Sequence, residues 1–184
     1  MKRFIGAVLC SWLIVASAAA QDSEGGIKDR SEHTRPMGVS AMLYLPWLDG
    51  IGVGVVGRFE IPVVHDGFIP AINDQFSIEP SLSFNYRNYG FGLYDLSVYD
   101  ITPAAYAMWS FHITPKFRPY AAIGLGYNIA IVSSDIDGVD GDDVDASFFY
   151  WDTAVGMFYN FSDAFALRAE IGAGGGKVGV SLFL

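Results

Sequence analysis

Side chains in this sequence alternate between apolar and polar with a period of two residues over eight successive segments. In residues 75–87 every even position is Phe, Ile, Pro, Leu or Tyr, and every odd position is Gln, Ser, Glu, Asn or Arg. A period of two is that of a β-strand whose faces lie in different surroundings. The predicted strands are residues 37–45, 51–63, 75–87, 104–113, 117–131, 148–161, 164–171 and 177–184.

The charged residues inside these segments all fall on the polar face of their strand. They are Arg58, Glu60, Glu79, Arg87, Arg118, Asp152, Arg168, Glu170 and Lys177. An Arg or Lys that faces the middle of a bilayer costs about 2–4 kcal/mol, and a sheet in lipid must close because an open edge leaves backbone groups unsatisfied. The pattern therefore predicts an all-β fold, an eight-stranded antiparallel up-and-down transmembrane β-barrel with its charges inside.

A water-soluble β-sandwich alternates in the same way, with its apolar face in a core. The N-terminus favours the membrane interpretation. Lys2 and Arg3 precede an apolar run over 4–15, and three alanines at 18–20 offer a cleavage site, a pattern typical of a secretory signal peptide and too short for a membrane span. The predicted organisation is a signal peptide over 1–20, a flexible periplasmic arm over 21–35 and an outer-membrane barrel over 36–184.

Outward-facing aromatic residues concentrate at the ends of the predicted strands when both termini are placed in the periplasm. Aromatic rings favour the two membrane interfaces, where an apolar body and a polar edge are satisfied together. The predicted periplasmic girdle contains Phe59, Phe76, Phe111, Phe117, Tyr159, Phe161 and Phe165. The predicted outer girdle contains Phe84, Tyr86, Phe149 and Trp151.

Composition narrows the function further. The chain has 11 basic and 20 acidic residues, a net charge of −9, and removal of Lys2 and Arg3 with the signal leaves −11. A nucleic-acid partner is therefore excluded on electrostatic grounds. The only cysteine, Cys10, lies in the predicted signal, so we expect no disulfide in the mature chain, and no cofactor is expected.

Eight strands enclose a space that side chains can fill. Five inward basic residues nearly balance four inward acids, so we expect a salt-bridged interior that blocks conduction, because buried charges persist only when paired. A structural or surface-interaction role follows from this. The alternative is a narrow porin-like channel for a small solute. The sequence specifies no extracellular ligand.

The segments between the strands leave three further questions open. Residues 88–103 contain a strand-like run at 93–99, so a ten-stranded barrel is an alternative. Residues 133–147 form an acidic loop whose weak metal candidates are Asp135, Asp137, Asp140 and Asp142, but their spacing differs from that of a calcium-binding loop. Ser110 and His112 share one strand face at a spacing too long for a direct hydrogen bond, and no enzyme activity is predicted.

The C-terminal half resembles a known family. Lys177, Gly179, Leu182 and Leu184 occupy the four defined places of the C-terminal signal of outer-membrane barrels, although Phe is the more usual last residue. The stretches 117–127 and 163–170 resemble strand motifs of small porin-family, OmpA-like barrel domains. The resemblance implies a location in the outer membrane of a Gram-negative envelope, with membrane lipid and the barrel-assembly machinery as partners.

Overall fold

A computed structural model describes residues 25–29, 31–46, 51–91, 94–134 and 144–184. They form eight strands in one closed antiparallel barrel, in which every strand pairs with its neighbours in the sequence and β1 pairs with β8. The strands are β1 Gly38–Pro46, β2 Ile51–Val64, β3 Asp74–Phe91, β4 Tyr94–Phe111, β5 Phe117–Ser134, β6 Val144–Ser162, β7 Phe165–Gly172 and β8 Gly175–Phe183. The predicted fold class is confirmed.

The alternation of the sequence becomes the two faces of the barrel wall. In β1, Val39, Ala41 and Leu43 are exposed on the outside, whereas Ser40 and Met42 are buried in the lumen. The opposite choice of register would bring every lumen side chain to the outside, because successive strand residues point to opposite faces. No described residue belongs to a helix long and apolar enough to cross a membrane.

The ten-stranded alternative is wrong. Residues 88–91 and 94–103 belong to two long paired strands, in which β3 continues to Phe91 and β4 begins at Tyr94, ten residues before the predicted start of the fourth strand. Pro103 suggests a strand break because proline has no backbone N–H. In the structure Pro103 pairs with Leu82 of β3 and lies in a gap of the ladder between β4 and β5, so the strand passes through it.

The barrel wall has unequal heights. Strands β1, β7 and β8 have eight or nine residues, whereas β3 to β6 have 18 or 19. A membrane crossing takes about 9–11 strand residues, so β1, β7 and β8 have only the length of a crossing. In the predicted membrane, the strands of the β3–β4 and β5–β6 pairs therefore extend beyond the bilayer at the end opposite the two termini.

The predicted signal peptide over 1–20 lies outside the described residues. So do Asp135, Asp137, Asp140 and Asp142 of the acidic loop. Among the residues that the structure does describe, no group of three or more His, Cys, Asp or Glu side chains is arranged to hold a metal ion.

Candidate functional site

The lumen is the candidate site, because the nine charged side chains singled out in the sequence all point into it. Eight of them belong to residues that are at most 6% exposed, and Arg87 is half-buried with 18% of its side chain exposed. The side chains form a column of three layers between the two ends of the barrel. From the end that holds the termini to the opposite end, we call these layers the lower cluster, the central network and the upper pair.

The central network consists of Arg58, Glu79, Arg168 and Glu170, whose side chains are fully buried. Arg168 donates to both oxygens of Glu79 at 2.7 and 2.8 Å. Arg58 donates to both oxygens of Glu170 at 2.7 and 2.9 Å. Cross-contacts of 3.4 Å (Arg58 to Glu79) and 3.7 Å (Arg168 to Glu170) join the two pairs into one square. Bidentate geometry offsets much of the desolvation penalty of such buried ions.

Lys177 extends the central network towards the outer end. Its Nζ atom lies 2.7 Å from Glu170 Oε1 and 3.1 Å from Asp152 Oδ2. Asp152 also accepts a hydrogen bond from the Tyr106 hydroxyl at 3.1 Å. The carboxylate of Glu170 thus contacts two arginines and one lysine, and it also accepts from Tyr120 at 2.8 Å.

The lower cluster consists of Glu60, Gln75, Ser77 and Arg118. Both terminal nitrogens of Arg118 donate to Glu60 at 2.8 Å, and Gln75 Nε2 donates to Glu60 Oε1 and to Ser77 Oγ at 2.8 Å. His112 Nε2 lies 3.2 Å from Gln75 Oε1, so the imidazole is engaged with an amide. Ser110 Oγ is buried and has no hydrogen-bond partner in the described chain.

The upper pair consists of Arg87 and Asp100. Arg87 approaches Asp100 Oδ2 to 2.8 Å through Nε and to 2.6 Å through a terminal nitrogen, and Asn128 donates to Asp100 Oδ1 at 2.9 Å. Sequence reasoning missed Asp100 because it placed this residue in a loop. The sequence did contain a signal for Asp100, because Asp100 and Thr102 have the same parity as Tyr106, which was predicted to face inward. Both residues are buried in the structure.

Tyrosine and phenylalanine rings fill the space between the ionic layers. The guanidinium carbon of Arg58 lies 3.8 Å from the centre of the Tyr106 ring, and that of Arg118 lies 4.0 Å from the centre of the Phe158 ring. Stacking of this kind stabilises arginines that have lost their water. The lumen is therefore a packed core in which charges and rings alternate.

Two glycines in the wall make room for these rings. A Cβ atom on Gly124 would overlap the ring of Tyr106, and one on Gly156 would overlap the ring and hydroxyl of Tyr120. Glycine in a strand often marks such a close approach. The glycines of the fifth- and sixth-strand segments thus position the two tyrosines that bind Asp152 and Glu170.

A cavity of about 190 Å³ lies above the central network, on the side away from the termini. Lys177 and Tyr106 lie at its inner side, next to the central network. Its lining includes four residues at alternate positions of β3. The lining also includes Tyr44, Tyr106 and Tyr150, which lie on other strands. The lining residues from β3 are Ser81, Ser83, Asn85 and Arg87.

The described part of the N-terminal arm lies against the end of the barrel that holds the termini. Asn73 N donates to Ile27 O at 2.8 Å, and Ile27 N donates to Ile113 O at 3.3 Å. Arg35 donates to His65 O at 3.2 Å and also to the side chain of Asn73. The described part of the arm therefore has specific hydrogen-bond partners on the barrel, and its flexibility stays a prediction.

Two carboxylates accept hydrogen bonds from backbone amides of this arm. The backbone amides of Ser31 and Gly25 donate to Asp29 and hold the pKa of that carboxyl well below its usual range. Asp66 lies 3.2 Å from His33 Nδ1 and accepts a hydrogen bond from the His33 amide. Slight burial opposes the shift, but these bonds lower the pKa of Asp66.

The four residues of the C-terminal signal have separate environments. Lys177 belongs to the lumen ion pairs, and a side chain on Gly179 would overlap the backbone of Ala41 in β1. Leu182 and Leu184 face outward and are 52% and 77% exposed. Contacts within the barrel thus explain why Lys and Gly occupy positions 177 and 179. They do not explain the two leucines, whose side chains face outward.

Comparisons with known proteins agree with this architecture. A family model described as an outer membrane protein beta-barrel domain matches residues 7–177. No curated protein matches the sequence. The N-terminal β-barrel domain of Pseudomonas aeruginosa OprF is similar in structure, with a TM-score of 0.55 and 15% identity, over 82% of this chain and 98% of that one. Neisserial surface protein A has a TM-score of 0.50 and 17% identity, over 80% and 95%. At this identity the likeness shows the fold.

Proposed function

This chain belongs to the family of outer membrane protein β-barrel domains and lies in the outer membrane, and we propose that it serves there as a surface-interaction protein. The observation that carries the proposal is the free edge of β6 above the membrane. The pairing of β6 with β7 begins at Ala154, opposite Gly172, and Ala173 N donates to Thr153 O. From Val144 to Asp152 the described pairing of β6 is with β5 alone.

An edge of this kind presents unpaired backbone N–H and C=O groups in a row. Extended peptides bind such edges by adding a strand, in which backbone bonds supply affinity and alternate side chains supply specificity. Phe149 and Trp151 project outward from the edge and are 65% and 61% exposed. Large aromatic side chains of this type anchor protein interfaces.

A peptide-binding experiment tests the free edge. The full-length protein in lipid nanodiscs is panned against a library of random decapeptides. We expect enriched peptides to alternate apolar and polar residues and to lose binding when residues 126–150 are removed, so that Leu125 and Trp151 form a two-residue turn above the pair Gly124 and Asp152. The matched control shortens the β3–β4 hairpin by removing residues 89–96, so that Asn88 and Ser97 form the turn above the pair Arg87 and Val98, and it keeps the β6 edge. Equal binding to both shortened chains, or no enrichment, would contradict the proposal.

We further propose that the lumen is closed to solutes, in preference to the alternative of a narrow porin-like channel. The central network and its stacked rings occupy the lumen between the lower cluster and the upper cavity, so an ion would have to displace paired charges. The purified protein is therefore expected to show no steady single-channel current. Removal of one whole pair, in an Arg168→Ala/Glu79→Ala variant, is expected to produce current. Steady current through the unmodified protein would contradict the closed lumen.

We also propose that the barrel is not an enzyme. The supporting geometry is that the His112 ring contacts Gln75, while Ser110 Oγ has no partner among the described residues. A nucleophile needs a base within hydrogen-bonding distance.

We also propose that the chain is exported into the periplasm of a Gram-negative cell and that its signal peptide is cleaved after Ala20.

Recognition by the barrel-assembly machinery is proposed to depend on the outward residues of the C-terminal signal. A Leu182→Ser/Leu184→Ser variant is expected to accumulate less heat-modifiable folded protein in outer membranes, while refolding in detergent as well as the unmodified chain. The reason is that both leucines face outward and contact no lumen group. Val178→Ser, on the same face of β8, is the control. Equal loss in cells for this control would contradict a specific signal.

A further inference from the structure

The cavity above the central network has a polar wall on β3. Asn85 is 8% exposed and lines the cavity, but its side-chain oxygen is buried against Gly54 of β2, so its amide nitrogen is the group available to a ligand. Ser81 and Ser83 bring two hydroxyls to the same wall, at alternate positions of β3. Hydroxyl groups both donate and accept hydrogen bonds, so this wall suits a ligand that carries hydroxyl groups of its own.

The charged residues of the cavity are already neutralised by each other. Arg87 is paired with Asp100 at 2.6 Å, and Lys177 is paired with Asp152 at 3.1 Å and with Glu170 at 2.7 Å. An anion, a cation or a zwitterion would have to break one of these pairs to gain a partner. The lining therefore favours an uncharged ligand.

Aromatic side chains complete the lining. Tyr44, Tyr106 and Tyr150 belong to the lining, as does Phe148, which is 51% exposed. Ring faces suit the apolar C–H surface of a ligand. The hydroxyls of Tyr44 and Tyr106 already donate to Gly174 O at 2.8 Å and to Asp152 at 3.1 Å, so the tyrosines contribute their ring faces. Drug-sized ligands occupy pockets of roughly 300–1,000 Å³, so a cavity of about 190 Å³ limits the ligand to a single small ring.

We propose that this cavity binds one uncharged sugar ring. The ring hydroxyls meet the serine hydroxyls and the Asn85 amide nitrogen on β3, and its C–H face packs on the tyrosines. The ring belongs either to a free monosaccharide or to the terminal unit of a glycan chain, since both present the same chemistry at the mouth. This site is separate from the β6 edge, and its test does not depend on peptide binding.

The test is a titration of the full-length protein in a phosphocholine detergent, which has no sugar headgroup of its own. Methyl glycosides of glucose, galactose and mannose are the probes, and glutamate is the charged comparison. Side-chain amide and guanidinium NMR signals of Asn85 and Arg87 are followed. We expect saturable shifts with at least one glycoside and none with glutamate. Absence of saturation with all three glycosides, or saturation with glutamate, would overturn the proposal.

Variants then locate the site. Asn85→Leu is expected to weaken the binding of the responding glycoside roughly tenfold, equivalent to about 1.4 kcal/mol. Asn160→Leu is the matched control, because Asn160 lies on β6 near the end of the barrel that holds the termini, where its side chain donates to Pro115 O at 3.0 Å. Heat-modifiable migration checks folding, and Ser83→Val replaces Asn85→Leu should the latter not fold. Unchanged binding in the folded cavity variant, or an equal loss in the control, would overturn the proposal.

The two sources of the ring are distinguished by one more titration. An oligosaccharide that ends in the responding sugar is compared with the methyl glycoside. Equal or tighter binding of the oligosaccharide supports the proposal with a glycan end as the ligand. Binding of the methyl glycoside alone supports it with a free monosaccharide as the ligand.

Discussion

Replacing Arg168 by methionine is expected to lower the free energy of unfolding of the barrel by about 3–5 kcal/mol, the usual cost of removing one partner from a buried ion pair. Arg168 is fully buried and forms a bidentate pair with Glu79, and it also donates to Tyr120 at 2.9 Å and to Ser40 at 3.1 Å. The variant leaves the Glu79 carboxylate with one cross-contact, to Arg58 at 3.4 Å. Reversible urea unfolding in lipid vesicles measures the loss.

Arg87→Met is the matched control for this prediction. Arg87 forms a comparable pair with Asp100, but 18% of its side chain is exposed at the outer end of the lumen, so water can replace part of the lost contact. We expect a smaller loss than for Arg168→Met. An Arg168→Met/Glu79→Leu variant should recover part of the stability, because an apolar replacement of both partners leaves no uncompensated charge. Equal losses in the two single variants would show that burial does not set the cost.

The position of the charges followed from the sequence for a simple physical reason. Strand geometry has a fixed period of two, so the apolar residues beside Arg168 and Glu170 determine which face those charges occupy. The closing of the sheet follows from the same reasoning, because open strand edges are not tolerated in lipid. The sequence therefore predicts the eight strands and the inward direction of the nine charged side chains.

The pairing of those charges was beyond the sequence. Arg58 lies on β2 and its bidentate partner Glu170 on β7, 112 positions apart, and the alternation carries no information on which strands face each other across the lumen. The height of the wall was missed for another reason. Tyr99 and Ile101 continue the outward alternation of β4, but Pro103 interrupts the pattern that a single sequence displays. Asp100 was lost from the predicted site together with that segment.

The pairing of the charges and the height of the barrel wall bear on function in different ways. In the central network the buried charges of different strands are paired with one another. The network therefore packs the lumen and offers no free charged group to a solute. The groups available to partners lie where the pairing ends, in the cavity above Lys177 and along the β6 edge from Val144 to Asp152. A barrel of even height would have neither the edge nor the upper wall of the cavity, since Asn85, Arg87 and Asp100 lie in the upper parts of the long strands.

Introducing arginine on the outer face tests the placement of the wall in the bilayer. Leu43 lies next to the centre of the nine-residue strand β1 and is 55% exposed on the outside. Leu43→Arg is expected to lower the free energy of unfolding in lipid vesicles by about 2–4 kcal/mol, the cost of an arginine near the middle of the bilayer. Phe149→Arg is the matched variant, because Phe149 also faces outward but lies in the tall part of β6. A change of about 0–1 kcal/mol is expected there. Equal losses at both positions would place the upper part of β6 inside the hydrocarbon layer and remove the free edge on which the proposed function depends.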